Sequence, residues 1–172
     1  MPPLIGWYVR AITRVNRLVF NVVALLAAVI VPVMLYEVVS RYVFGRPTVW
    51  GMELATLLFG PYFLLGGPYL LHLGGHVNLD LLHRKLPAAW RRGLDLFNQL
   101  VIIAFCVILL YFAAPLAVQA WEFRETSFSA WNPPVWPVKF AIPLAVALLG
   151  LQSVAEFLRI LCRDPDLEAT AS

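Results

Sequence analysis

Charge is scarce in this sequence: Asp, Glu, Lys and Arg make up only 13% of its 172 residues, whereas 61% are hydrophobic and the mean hydropathy is +0.78. Soluble domains carry about a quarter charged residues and about half apolar ones. The balance therefore excludes a soluble enzyme or soluble binding module and assigns the chain to a bilayer. Cysteine is nearly absent. Cys106 and Cys162 lie far apart, in or at the end of apolar runs, which fits packed thiols better than a disulfide framework or a CxxC metal site. Histidine is as sparse, and His72, His76 and His83 fall in one short stretch. Haem held between facing helices needs histidines on more than one of them, so bis-histidine ligation is not expected. His72 and His76 are spaced i,i+4, but Gly74 and Gly75 intervene and no third ligand is evident, so neither a metal nor a cofactor is expected. No apolar run carries the acidic midplane residues of an ion or proton pathway, and nothing points to a catalytic residue.

What is abundant is apolar sequence in long runs, at about 18–40, 51–73, 94–121 and 138–161, each long enough to cross a hydrocarbon core as a helix. The expected fold is an all-α integral membrane protein with four transmembrane helices in a single membrane domain, residues 1–172. The first run is too long for the apolar part of a signal peptide and lacks a small-residue cleavage motif after it, so it is expected to remain as a membrane helix. Pro32 and Pro143 are expected to kink the first and last spans, since neighbouring helices can satisfy the freed carbonyls. Nine basic residues (Arg10, Arg14, Arg17, Arg84, Lys85, Arg91, Arg92, Arg159, Arg163) fall on one side and four (Arg41, Arg46, Arg124, Lys139) on the other. The positive-inside rule then puts both termini in the cytoplasm. The net charge of +3 is thus a topology signal and implies no nucleic-acid partner.

Two further stretches read as short interfacial helices. In residues 4–17, Leu4, Tyr8, Ala11 and Val15 repeat at helical spacing while Arg10, Arg14 and Arg17 share another face. In residues 78–86, Asp80 and Arg84 form an i,i+4 pair opposite Leu79, Leu82 and Leu86, with His76 just ahead. This inner cluster of His76, Asp80 and Arg84 is a candidate for seating the segment in the headgroup layer. Gly60, Gly67 and Gly74 recur every seven residues along the second run, a stripe of small residues suited to close helix packing. Gln152, Glu156 and Arg159 share a stripe of the last run, so Glu156 is expected to face protein and to pair with Arg159. On the outer side, Glu37 precedes Arg41 by one turn and Glu53 opens the second span. Together with Arg46, Trp50, Glu122, Arg124, Glu125 and Lys139 they are the candidates for contact with a partner there.

The order Glu37-Val38-Val39-Ser40-Arg41-Tyr42-Val43-Phe44, then Trp50 and Glu53, then Gly75-His76-Val77-Asn78-Leu79-Asp80-Leu81-Leu82 with Leu86-Pro87, resembles the small membrane subunit of tripartite ATP-independent periplasmic (TRAP) transporters. The similarity continues through Pro134-Val135-Trp136-Pro137 and Ile142-Pro143-Leu144 and so covers nearly the whole chain. The resemblance implies a non-catalytic subunit of the inner membrane with two protein partners. One is a large multi-span subunit that moves the solute by a sodium-coupled elevator motion, whose immobile scaffold the small subunit pads and anchors. The other is a periplasmic solute-binding protein, and the solutes are mostly organic acids. The chain departs from the family at His72, where a basic residue is common, and at Gly60-Pro61, where an aromatic is common.

Two other classes compete with this reading. A membrane anchor of a redox complex, binding quinone or haem, is the alternative, and a haem spectrum separates the two. A stand-alone small exporter would need Glu37 as its proton-coupled site, and the place of Glu37 near the end of its run opposes that.

Overall fold

The computed structural model describes residues 3–72 and 88–162, and the described residues are almost wholly helical. Helix α1 spans Pro3–Tyr42, α2 spans Gly51–His72, α3 spans Ala88–Glu122 and α4 spans Trp136–Leu161. All four are long and apolar enough to cross a membrane. The expected interfacial helix over residues 78–86, the cluster of His76, Asp80 and Arg84, and Gly74 lie outside the described residues.

Helix α1 differs from the sequence expectation of a short helix followed by a span, because residues 4–42 continue as one element. No glycine or proline stands between Gly6 and Pro32 to break it, and the charged turn at Arg10, Arg14 and Arg17 is itself helix-favouring. Its 40 residues amount to about 60 Å, roughly twice a hydrocarbon core. The helices also run through their prolines, at Pro32 in α1, Pro61 and Pro68 in α2, Pro115 in α3 and Pro143 in α4.

Packing centres on α4, which contacts each of the other three helices, while α1 and α2 pack on each other. Small side chains permit this. One face of α4 buries Ala141, Ala145, Leu148, Gln152 and Ala155, spaced alternately four and three, and Val146 and Ser153 are buried on another. On α3 the buried side chains are Cys106, Ala117 and Ala120. At the α3–α4 crossing a Cβ on Gly150 would stand 3.3 Å from Cys106 Cβ, so glycine sets how near the two backbones come. Between α1 and α2 the Phe20 and Tyr69 rings lie 5.0 Å apart at a tilt.

The buried stripe of α1 is narrow. Only Asn16, Val23, Ile30 and Glu37 are buried there, one every seven residues, the repeat of a left-handed supercoiled contact. The stripe is apolar in its middle and polar at both ends, and each polar end is tied to a different part of the bundle.

Candidate functional site

At the α1–α2 loop end, Glu37 is 1% exposed and its carboxylate organises the turn into α2. Oε1 accepts from Arg41 Nε at 3.0 Å and from Nη2, one helical turn on. Oε2 accepts from the Thr48 backbone N–H at 3.1 Å and from the Thr48 hydroxyl. The Thr48 hydroxyl in turn accepts from Gly51 N–H at 3.0 Å, which satisfies a free donor at the start of α2. A Cβ on Gly51 would stand 2.8 Å from Thr48 Oγ1 and 3.0 Å from Glu37 Oε2. Glycine is therefore required where the first turn of α2 closes on the carboxylate. Thr48 was not among the sequence candidates, although a threonine three residues ahead of an apolar run is a helix-start signal.

At the opposite end, Asn16 and Gln152 are 1% and 0% exposed and join α1 to α4. Asn16 Nδ2 donates to Gln152 Oε1 at 2.8 Å. Gln152 Nε2 reaches Glu156 Oε1 at 3.2 Å and Thr13 Oγ1 at 3.5 Å. Glu156 Oε2 lies 3.5 Å from Arg159 Nη1, so the stripe of Gln152, Glu156 and Arg159 is brought together with two α1 residues that sequence reasoning missed. The missed signal was the seven-residue spacing of Asn16 from Val23, Ile30 and Glu37. Nearby, the Ser153 hydroxyl donates to Gln99 Oε1 at 2.6 Å, and Arg92 Nη2 donates to the last carbonyl of α4, Leu161 O, at 2.9 Å. A cation at a helix C-terminus is favourably placed both for hydrogen bonding and for the helix dipole.

The α3–α4 loop is ordered by its own bonds. Arg124, with φ +45°, ends α3: Arg124 N–H donates to Trp121 O and Glu125 N–H to Ala120 O, the paired bonds of a Schellman cap. Thr126 and Pro134 pair as an isolated antiparallel bridge, and Val135 N–H donates to Glu125 O at 2.9 Å. Ser129 Oγ donates to Glu53 Oε2 at 2.6 Å, which folds the loop over the start of α2. Glu125 pairs with Lys139. Phe128 stands at the tip with φ +55° and 91% exposure.

Of the outer candidates, then, Glu37, Arg41, Glu53, Glu125 and Lys139 are bound within the chain, and Trp50 stacks on Tyr36 with ring centroids 6.0 Å apart. Arg46, Glu122 and Arg124 are exposed, and their side chains have no ionic partner among the described residues. The glycine stripe divides. A Cβ on Gly60 would rest 3.6 Å from Val138 of α4, whereas one on Gly67 would have nothing within 4 Å. Cys106 and Cys162 are free thiols, and among the described residues no three His, Cys, Asp or Glu side chains come together as a metal site would require.

This arrangement contains connectors and surfaces, and known proteins resemble parts of its sequence. Residues 30–163 match the family model for the DctQ component of tripartite ATP-independent periplasmic transporters. The chain is 30% identical over 80 residues to the sialic acid TRAP transporter permease protein SiaT of Haemophilus influenzae, a match covering 46% of this chain and 13% of that protein. It is 30% identical over 78 residues to the sialic acid TRAP transporter small permease protein SiaQ of Vibrio cholerae, covering 45% of each. The chain thus matches less than half the length of either of these curated relatives.

Proposed function

The chain belongs to the family of DctQ components of TRAP transporters, and we propose that, as a small permease subunit of that kind, it scaffolds a large membrane subunit without catalysing any reaction itself. The observation that carries this reading is the distribution of burial. Along α1 only one residue in seven is fully buried by the chain itself, and α3 packs mainly on α4, so broad apolar faces of both helices remain for lipid and for a partner. Asn21 on α1 and Asn98 on α3 are exposed polar residues within such faces, the kind of group that gains from a neighbouring helix. The match to SiaT supports a large partner too, since most of that permease protein lies outside the matched stretch.

In this reading the large subunit moves an organic-acid solute by a sodium-coupled elevator motion, and the small one holds its immobile part in the inner membrane. Both termini lie in the cytoplasm, and the two loops at the other end face the periplasm, where a solute-binding protein docks. At the α3–α4 end, Glu122 and Arg124 are exposed charges without an ionic partner among the described residues and are placed to meet that protein, and contacts of this kind steer encounter and weaken with salt.

Two variants test the two halves of the reading. A Cβ on Gly67 would have nothing of this chain within 4 Å, so Gly67→Leu should leave insertion and helix content unchanged while lowering co-purification with the large subunit. Parental co-purification would remove that face of α2 from the interface. Arg124→Glu should lower uptake when the binding protein is limiting and leave assembly intact. Equal uptake at every level of binding protein would exclude the loop from docking.

A further inference from the structure

At the loop end of α1 a half-open groove of about 480 Å³ lies between the helix and the chain as it turns back, lined by Tyr36, Val39, Ser40, Phe44 and Arg46. The turn is held in place. Gly45 adopts φ +61°, Arg46 N–H donates to Ser40 O at 2.9 Å, and the Ser40 hydroxyl donates to Arg46 O. The groove has two kinds of wall. Tyr36, Val39 and Phe44 supply apolar surface, with Tyr36 braced by its stack on Trp50. Arg46 supplies a cation.

That cation is uncommitted. Arg41 is held by Glu37 and Lys139 by Glu125, whereas the Arg46 guanidinium has no bond to any described residue. Below the groove the apolar wall continues along α1 as an i,i+4 ladder of exposed Val39, Leu35 and Val31, in the membrane-spanning part of the helix. Tyr36 and Trp50 stack beside the groove and exposed Tyr42 ends α1, aromatic side chains of the kind found where a span meets the headgroups. A guanidinium above a strip of valine and leucine matches a molecule with a phosphate at one end and an alkyl chain at the other. Inorganic phosphate would satisfy the guanidinium alone and leave the strip unused.

We propose that this groove binds an anionic phospholipid of the adjacent leaflet, with its phosphate on Arg46 and one acyl chain along Val39, Leu35 and Val31. The site is built from α1 and its following turn, and it does not depend on the role of the subunit in transport.

The test is native mass spectrometry of the full chain with the subunits that co-purify, titrated with phosphatidylglycerol, with phosphatidylcholine and with inorganic phosphate. Arg46→Gln removes the charge from an exposed side chain, and Val39→Trp fills the groove while leaving the charge. Phosphatidylglycerol should bind the parent more tightly than phosphatidylcholine. Its affinity should fall about tenfold in Arg46→Gln, as expected for loss of a charge-assisted contact, and comparably in Val39→Trp. Phosphatidylglycerol binding unchanged in Arg46→Gln would overturn the proposal. So would loss in Arg46→Gln with full retention in Val39→Trp and competition by inorganic phosphate, which would show an anion site that takes no acyl chain. If Val39→Trp fails to insert, the Arg46→Gln comparison between the two lipids decides alone.

Discussion

Replacing Gln152 by leucine changes little volume but removes the hub of the connection between α1 and α4. Gln152 makes the 2.8 Å bond with Asn16, the 3.2 Å bond with Glu156 and a long 3.5 Å bond with Thr13, from a position that is fully buried. Glu156 would keep Arg159, but Asn16 would be left buried with its amide nitrogen unpaired, beside an oxygen that already has no partner among the described residues. Leaving a buried polar group unsatisfied costs about 1–3 kcal/mol. Couplings across helices in a membrane average about 0.6 and reach about 1.7 kcal/mol, because the unfolded chain in the membrane also finds partners. Gln152→Leu should therefore cost about 2 kcal/mol. Asn16→Leu should cost about 1 kcal/mol, because it removes a partnerless acceptor along with a useful donor. Once Gln152 is gone, Asn16 contributes nothing favourable, so the double variant should be no worse than Gln152→Leu alone, a coupling of about 1 kcal/mol. The measurement is reversible unfolding of the purified full chain in mixed micelles with rising dodecyl sulfate, followed by tryptophan fluorescence. Additive costs, or a Gln152→Leu variant as stable as the parent, would refute the hub.

Gly51→Ala should weaken the α1–α2 turn more than Gly67→Ala, because a Cβ at Gly51 enters the space of Thr48 and Glu37 while one at Gly67 meets nothing within 4 Å. Dodecyl sulfate resistance of the two variants compares them directly, and equal resistance would show that the turn yields at no cost. For topology, cysteines replacing the exposed Val49 and Phe128 should react with an impermeant maleimide from the periplasm, and one replacing Trp90 should not. Labelling of the Trp90 site from outside would invert the assignment.

The four membrane helices were legible because apolar runs of this length have few other uses. Their ends were less so. Residues 4–17 read as a separate helix on account of Arg10, Arg14 and Arg17, yet a cluster of charge does not stop a helix, and nothing else in that stretch does. The pairing of Glu156 with Arg159 was readable because it is local, at i,i+3. The bond of Glu37 to Thr48 depends on how the loop after α1 turns back, and that of Asn16 to Gln152 joins two helices far apart in sequence; the spacing of side chains along one helix names neither partner. The glycine stripe shows the same limit in reverse. A period of seven puts Gly60 and Gly67 on one side of α2, but whether α4 stands opposite depends on how the helices cross, and it stands opposite Gly60 only. In the α3–α4 loop, Asn132-Pro133-Pro134 marks a turn, but the positive φ of Arg124 and Phe128 rests on local bonds, from Arg124 N–H to Trp121 O and from Phe128 N–H to Asn132 Oδ1, at residues that rarely adopt that conformation.

The narrow stripe of α1 also makes the helix a gauge of bilayer thickness. Asn16 and Glu37 are 37 − 16 = 21 residues apart, about 32 Å along the axis, against a hydrocarbon depth of roughly 30 Å. The segment between the two polar ends can thus fill the hydrocarbon layer and leave both ends at its borders. Because each end is fastened to another element, the helix cannot adjust by sliding past its neighbours. Mismatch falls instead on tilt of the whole bundle or on deformation of the lipid, at a fraction of a kcal/mol per Å. The subunit should therefore be most stable in lipids whose acyl length matches this interval and should lose resistance to unfolding in both shorter-chain and longer-chain bilayers.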